Sequence, residues 1–366
     1  MIMTFTTTLL QWFKAHGRDL PWRQTCDPYA VWLSEIILQQ TRTEQGRPYW
    51  DRFMHRWPTV ELLAVATEDE VLREWQGLGY YSRARNLHTA ARQVVAAGGW
   101  PRTIEGLHTL KGVGDYTAAA IGSIAFGLPA AVVDGNVYRV LARYYGIATP
   151  INTTAGKREF AALAQSLLPP AEASAYNQAV MDFGAIQCTP VSPRCANCPL
   201  AEACSAFRTG TTDTLPVKLK KKEVKERRLT YVYIRCKGQT ALHRRPAGDI
   251  WQGLYEPLCV DTSQENLPSV LEGMGLRNAR LTLLKENVRH VLTHRVLLAD
   301  FWLWETEEYP PLPESYFWVD EGRIDNYGVP RLVEKLFDEV SSTAAECRKT
   351  ETPASALNDG TGRCRD

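Results

Sequence analysis

The sequence predicts a mainly α N-terminal region followed by an α+β C-terminal domain. Residues 1 to about 205 break into apolar and amphipathic segments of helical length, with Gly and Pro at most of the joins. A run of Lys and Arg, from Lys218 to Arg228, follows. From Leu229 the pattern becomes one of strands: Tyr231, Val232, Tyr233 and Ile234 form a β-rich run, and Val296 to Trp304 is rich in β-formers. A chain of 366 residues is also long enough for two domains.

Taken in order, the first strong element starts at Asp27-Pro28, an N-cap followed by Pro in the first turn. The helix it opens, Tyr29 to about Gln45, is apolar nearly all round at Val31, Trp32, Leu33, Ile36, Ile37 and Leu38, so it should be buried. Further helices fit Glu61–Ala66, Glu68–Gln76, Ala84–Ala97, Thr103–Thr109, Tyr116–Phe126, Val137–Tyr145, Lys157–Leu168 and Ser174–Gln187. The expected division is a helical region over 1–215, a basic linker over 216–228, a second domain over 229–340 closing with a helix at 331–340, and a disordered Ser/Thr/Ala/Glu/Gly tail over 341–366.

Composition narrows the function classes. Lys and Arg total 42 against 41 Asp and Glu, a formal charge of +1, so any nucleic-acid surface must be local. Met1 to Lys14 lacks the apolar run of a signal peptide, and no stretch approaches a membrane span. Of nine cysteines, four fall at 188, 195, 198 and 204, spaced C-x6-C-x2-C-x5-C. Four thiolates this close suit one soft metal centre in a reducing cytosol. One short knuckle flanked by gaps of six and five favours a [4Fe–4S] cluster on Cys188, Cys195, Cys198 and Cys204 over the paired knuckles of a zinc ribbon.

Three further features carry chemistry. Leu110-Lys111-Gly112-Val113-Gly114 lies between two expected helices, and two glycines in a tight turn let backbone N–H groups approach a phosphate; the same turn also joins ordinary helices. Asp134 follows the apolar run 130–133 and precedes a helix, whose positive end favours the ionised carboxylate; by itself it reads first as a plain N-cap. Glu35 sits between Leu33 and Ile36-Ile37-Leu38, where burial favours the neutral acid; a buried Glu paired with an Arg would look the same. One carboxyl kept neutral and one kept ionised suit glycosidic cleavage.

Several segments together resemble the MutY-type adenine DNA glycosylases, of the endonuclease III (helix-hairpin-helix) superfamily. They are Trp32-Leu33-Ser34-Glu35-Ile36-Ile37-Leu38-Gln39-Gln40-Thr41, Gly77-Leu78-Gly79-Tyr80-Tyr81-Ser82-Arg83, Val133-Asp134-Gly135-Asn136-Val137, Asn177-Gln178-Ala179 and the cysteine spacing. The match runs from Trp12 to Cys204 and more weakly to about residue 340. It implies a six-helix module at about 25–135, a cluster module of 1–24 with 136–215, and a helix-hairpin-helix that clamps DNA backbone through Lys111, Gly112, Val113 and Gly114. It further implies that Glu35 protonates adenine, that Asp134, with Asn136 beside it, stabilises the cation at C1′, and that Gln40 and Tyr80 wedge into the duplex. Arg18, Leu20, Trp22, Arg23 and Gln178 would line the adenine pocket. Endonuclease III-like relatives carry a nucleophilic Lys where this chain has Tyr116, so the reading is a monofunctional glycosylase.

Trp251-Gln252-Gly253-Leu254-Tyr255-Glu256-Pro257 resembles the W-x-G-L-W-E-x-P stretch of the family's MutT-like (Nudix-type) domain. Residues 258–276 offer only Asp261, Glu265 and Glu272 where a Nudix hydrolase clusters carboxylates, so the domain is expected to bind and not hydrolyse. The family reads the opposite base with a loop F-S-H, aligned here with Leu292, Thr293 and His294. The implied partner is double-stranded DNA containing adenine opposite 8-oxoguanine or guanine, engaged by a monomer in the bacterial cytoplasm, on the nucleoid, without a membrane.

Overall fold

The computed structural model of the protein describes residues 4–219, 225–262, 265–277, 279–292 and 295–350, of which 344–350 as backbone. The chain divides into two compact units, Met1–Lys222 and Glu223–Asp366.

The first unit is helical. In order it holds α1 (Phe5–His16), α2 (Pro28–Ile37), α3 (Thr43–Arg56), α4 (Val60–Val65), α5 (Glu68–Glu74), α6 (Ser82–Ala96), α7 (Ile104–His108), α8 (Asp115–Phe126), α9 (Gly135–Tyr145), α10 (Thr154–Leu167), α11 (Ala173–Asp182) and α12 (Ser205–Thr209). Local chemistry sets many of the ends. Asp27 accepts from Tyr29 N at 3.1 Å to start α2 with Pro28 in its first turn. Thr67 and Glu70 form a reciprocal capping box on α5. Gly127 and Gly146 close α8 and α9 in the left-handed region. α2 is buried from Tyr29 to Ile37, packed against α3, α6 and α8.

The second unit is a mixed sheet with two helices. Its elements are β1 (Lys225–Cys236), β2 (Gln239–Arg244), β3 (Tyr255–Glu256), β4 (Leu258–Val260), α13 (Leu267–Gly273), β5 (Arg280–Val291), β6 (Arg295–Thr306), β7 (Tyr316–Asp320) and α14 (Arg331–Thr350). Strand order is β3-β2-β1-β6-β5, with β4 paired to β1 and β7 to β2. β1 and β6 run parallel in register from Lys225↔Arg295 to Cys236↔Thr306, and the other described pairings are antiparallel. One face buries Tyr231, Tyr233, Phe301 and Leu303 with Leu332, Val333 and Leu336 of α14. The other buries Val232, Ile234 and Trp304 with Leu267 and Leu271 of α13.

The fold class agrees with the expected one, and several boundaries are corrected. The helix expected over 29–45 stops at Ile37, and α3 starts only at Thr43. α1 and α3 were not among the expected helices; Gly46 and Pro48 inside α3 read as breakers but sit within it. The last four residues of the expected linker, Lys225 to Arg228, are strand, because β1 pairs with β6 along its whole length. The helix at 331 continues to Thr350, so the segment 341–350 of the expected tail is helical; 351–366 lies outside the described residues.

Phe301 is fully buried on the α14 face of the sheet. Phe301→Ala should lower the stability of the second unit by about 3–5 kcal/mol and leave the first unit's transition in place. Scanning calorimetry of the intact chain checks this; a single transition that shifts as a whole would show that the units do not unfold separately.

Candidate active site

In the first unit a cavity of about 420 Å³ is lined by residues from several stretches of the chain, Thr43 and Glu44 of α3 among them. α2 contributes Glu35, α8 contributes Tyr116, and α9 with the turn before it contributes Asp134, Asn136 and Arg139. α11 supplies Gln178 and Met181, and the segment after α1 supplies Arg18, Leu20, Trp22 and Arg23. Sequence-expected residues far apart in the chain therefore meet around one space. Among the described residues, no lysine lines it.

Glu35 is 8% exposed. Tyr116 Oη donates to its Oε2 at 2.7 Å and lies 3.5 Å from Met181 Sδ. Burial pushes the Glu35 carboxyl up to about 7; the Tyr116 hydrogen bond opposes this, nearby Asp134 adds to it, and Arg23 opposes it. The phenol of Tyr116 is itself pushed well up by burial and by Glu35, so it stays a donor.

Asp134 is the N-cap of α9. Its Oδ1 accepts from Asn136 N and Val137 N, both at 2.8 Å, and its Oδ2 accepts from Asn136 Nδ2 at 2.7 Å. The expected preference for the ionised form is corrected in one respect: burial raises the Asp134 carboxyl above its ordinary range, against the pull of these three bonds and of Arg139. The contrast with Glu35 lies in the donors, three against one, which solvate an anion at Asp134. Asn136 Oδ1 in turn accepts from Arg139 Nη2 at 2.8 Å, and Arg139 Nε donates to Cys188 O at 2.7 Å. Gly184 lies so close that a Cβ there would meet Asn136 Cβ at 2.6 Å. Asn177 holds the preceding run: its Oδ1 accepts from Val132 N, and its Nδ2 donates to Ala130 O and Ser123 Oγ.

Arg18 and Arg23 line the cavity but are not free in it. Both are tied to Asp182, which is fully buried. Arg18 reaches Oδ1 through Nε at 2.9 Å and Nη2 at 2.6 Å, and Arg23 bridges both oxygens at 2.6 and 2.8 Å. Burial acts to raise the Asp182 carboxyl, but the two arginines outweigh it and hold it below its usual range. Sequence reading missed Asp182 and Arg139. Their signal, a lone acid and a lone base on helices, is ordinary until the fold supplies partners. Gln178 lines the cavity, with Nε2 donating to Ser174 Oγ at 3.1 Å.

Gln40 and Tyr80 do not line this cavity. Both are exposed, on the turn after α2 and the turn before α6, in left-handed backbone at φ +57° and +49°. At the hairpin between α7 and α8, Gly112 has φ +80°. Of the four residues expected to hold phosphate, Val113 is corrected, and Lys111 keeps its side chain for that role but not its amide. Val113 is buried, and its amide donates to Leu110 O at 3.1 Å; the Lys111 amide donates to Gln93 Oε1 at 2.7 Å. The exposed Lys111 side chain and the amides of Gly112 and Gly114 remain, and a Cβ on Gly114 would meet no atom within 4 Å. The chain's own packing thus gives no reason for glycine at 114, whereas close approach of a ligand to the backbone would.

Cys188, Cys195, Cys198 and Cys204 surround a small, largely apolar cavity with Val140, Phe183 and Leu200. Arg143 Nη1 lies 3.4 Å from Cys188 Sγ. Among the described residues no three His, Cys, Asp or Glu side chains converge as ligands of one ion would. In the second unit, Glu256 is buried and accepts from Tyr231 Oη at 2.9 Å, from His243 Nε2 at 3.1 Å and from Arg245 Nη1. Leu292, aligned with the family's Phe, is partly buried against the sheet core, and its amide donates to Arg295 O at 2.8 Å. Thr293 and His294 lie outside the described residues.

Residues 33–170 match the model of the HhH-GPD superfamily base excision DNA repair proteins, and residues 230–339 match the NUDIX domain. An adenine DNA glycosylase of Buchnera aphidicola is 32% identical over 301 residues, covering 81% of this chain and 84% of that protein. The chain belongs to the adenine DNA glycosylase family. The human adenine DNA glycosylase is 45% identical over 216 residues, covering 56% of this chain and 40% of the human one. The chain thus spans about two fifths of the length of the mammalian relatives it matches. Among solved structures, a thermostable thymine-DNA glycosylase is 33% identical with a TM-score of 0.53, covering 56% of this chain and 95% of that one.

The Tyr116 hydrogen bond lowers the Glu35 carboxyl, so Tyr116→Phe should move its midpoint upward from about 7. Carbon-13 NMR titration of labelled glutamate checks it. A midpoint that stays or falls would mean that the bond does not stabilise the anion.

Proposed function

We propose that the protein removes adenine from duplex DNA where it is mispaired with 8-oxoguanine or guanine, hydrolysing the N-glycosidic bond without cutting the strand. The observation that supports this most is the pairing, in one cavity of a family member, of an acid poised near neutrality with a second carboxylate wrapped in donors.

In this reading the adenine leaves the stack and enters the cavity, at a cost the mismatch reduces. Glu35 gives its proton to the base at N7. The C1′–N9 bond then breaks with its electron pair going to the base, which departs neutral. Asp134 faces the developing oxocarbenium ion, held as an anion by Asn136 and the α9 amides. Water adds to C1′ and gives up a proton to the Glu35 carboxylate, which restores the acid. The absence of lysine from the lining residues and the phenol at position 116 support hydrolysis over Schiff-base chemistry. Lys111 and the Gly112 and Gly114 amides would hold phosphate, and Gln40 and Tyr80 would enter the duplex. The second unit, which matches the NUDIX domain, would read the opposite base, with Thr293 and His294 as its polar contacts.

The four cysteines fit a [4Fe–4S] cluster, since they supply four thiolate donors around one apolar cavity with a guanidinium beside Cys188. When bound, the cluster would order the loop from 188 to 204 and take no part in the bond cleavage. The protein would act as a monomer, in the cytoplasm.

The test is a duplex with adenine opposite 8-oxoguanine, or opposite guanine. Strand scission should appear only after alkali, and the single-turnover rate should fall as pH rises through about 7, where Glu35 loses its proton. Glu35→Gln and Asp134→Asn should each bind the duplex and abolish base release. Scission without alkali, or substantial turnover by either variant, would defeat the assignment. Separately, the purified protein should be brown, with about four iron and four labile sulfide per chain; one zinc and no colour would replace the cluster by a different centre.

A further inference from the structure

Two loops of the first unit share an uncommon feature. Gln40 and Tyr80 both hold left-handed backbone, at φ +57° and +49°, with side chains exposed to solvent. Gly77 and Gly79, beside Tyr80, have φ +89° and +77°. Glycine at 40 and 80 would remove the strain. A bulky side chain kept on strained, solvent-facing backbone points to use of that side chain, and such strain persists only where the surroundings over-determine it.

Trp75 Nε1 donates to Gly79 O at 3.0 Å and Gln39 Nε2 to Thr117 Oγ1 at 3.3 Å, each holding one loop; one residue reaches both. Arg83, at the start of α6, is 7% exposed. Its Nη1 donates to Ile36 O at 3.1 Å, Ile37 O at 2.8 Å and Gln39 O at 2.6 Å, and its Nη2 to Leu78 O at 3.4 Å and Gly79 O at 3.1 Å. Its amide donates to Tyr80 O at 2.8 Å. The guanidinium lies over Trp75 at 5.1 Å and Tyr80 at 5.5 Å. Ile36 and Ile37 end α2, so two of these acceptors are carbonyls that the helix leaves unpaired, at its negative end. Among the described residues Arg83 forms no ion pair, and burial lowers it to about 10, so it remains a cation at neutral pH. Nη1 also reaches Thr41 Oγ1 at 3.4 Å, and a buried cation whose partners are neutral carbonyls and one hydroxyl is costly to keep. Its planar fork lets it grip two loops at once, which a lysine ammonium does not do.

We propose that Arg83 is a positioning residue that locks the Gln40 and Tyr80 loops into one preformed blade and fixes that blade to the helix carrying Glu35. This rests on the reading that Gln40 and Tyr80 enter the duplex. With both loops set before DNA arrives, opening the base stack does not also require the loops to order. Without the fork, each loop is free to relax out of the left-handed region, and the two side chains no longer arrive together.

The test uses the full chain with Arg83→Lys, which keeps the charge, and Arg83→Met, which keeps the stem against Trp75 and removes every donor. Arg83→Met leaves the carbonyls of Ile36, Ile37 and Gln39 without this donor, so circular dichroism and a thermal melt establish that it is folded, and Arg83→Lys carries the test if it is not. The probe is a duplex with 2-aminopurine next to the target adenine, whose fluorescence rises on unstacking. Both variants should bind the duplex with near-native affinity, lose most of the rise, and release adenine about tenfold or more slowly in single turnover. The loss should shrink on a duplex with an abasic site opposite the adenine, where less pairing has to be opened. The pH midpoint of the residual rate should stay native. Tyr80→Ala should lose the rise as well. If Tyr80→Ala keeps it, the duplex-entry reading fails and this proposal with it. If Tyr80→Ala loses it while both Arg83 variants keep it, the blade stands and Arg83 does not position it. Equal loss on both duplexes with a shifted pH midpoint would make Arg83 a support of Glu35 and overturn its assignment to the loops.

Discussion

A carboxyl group inside an apolar helix is the constraint from which the first unit follows. Glu35 lies on a helix whose residues from Tyr29 to Ile37 are all buried, so helices must surround it: α3, α6 and α8 do. An ionised carboxylate left there without partners is strongly disfavoured, and the site resolves this by keeping the acid close to neutral. Tyr116 supplies one hydrogen bond, enough to satisfy the group without making it a strong anion. Further donors would pull Glu35 back toward an ordinary carboxylate. The single partner and the apolar packing are therefore two sides of one arrangement.

The same cavity contains two arginines, which would depress Glu35 if they stood free. Asp182 prevents much of that. Fully buried between them, it takes four side-chain hydrogen bonds from Arg18 and Arg23 and an amide bond from Arg18. Two cations and one anion leave a net single positive charge, and both guanidinium planes are fixed in direction. Asp134 is organised in a parallel way on the other wall. Its donors come from Asn136 and α9, and Arg139 carries the chain of hydrogen bonds on to the carbonyl of Cys188. The loop that bears the first cysteine thus sets the orientation of the Asn136 amide, and a Gly184 with no Cβ lets the two backbones meet.

How far this was legible in the sequence differs by residue, for physical reasons. α2, α5, α8 and α9 follow from local signals: Asp27-Pro28, Thr67 with Glu70, and the glycines at 127 and 146. Glu35 was legible because the apolar run around it is contiguous. Asp182 was not, because its partner Arg18 is 164 residues away and nothing local distinguishes it from a helix-terminal acid. The same limit applies to Arg139 and Arg143, whose acceptors are carbonyls around the cysteine loop. In the second unit, β1 and β6 were readable from composition, but their parallel pairing joins residues 70 apart, and the strands between them carry weaker patterns. The family resemblance named the candidate residues; only the fold could supply what each is hydrogen-bonded to.

The most instructive difference is the helix expected to run from Tyr29 to about Gln45. Nothing in the composition of 38–42 forbids helix: Leu38, Gln39, Gln40 and Arg42 are all good helix formers. The chain nevertheless turns there, and Gln40 goes into left-handed backbone. The carbonyls of Ile36, Ile37 and Gln39 are taken there by the fork of a residue more than forty positions away, Arg83. A segment that breaks its own local preference around one buried charge is where a stability-only account would look for an error. Here the override delivers an exposed glutamine next to the helix of the buried acid, and the same charge presents Tyr80 from the opposite loop. The departure from local consistency falls where the proposed work on the duplex is done.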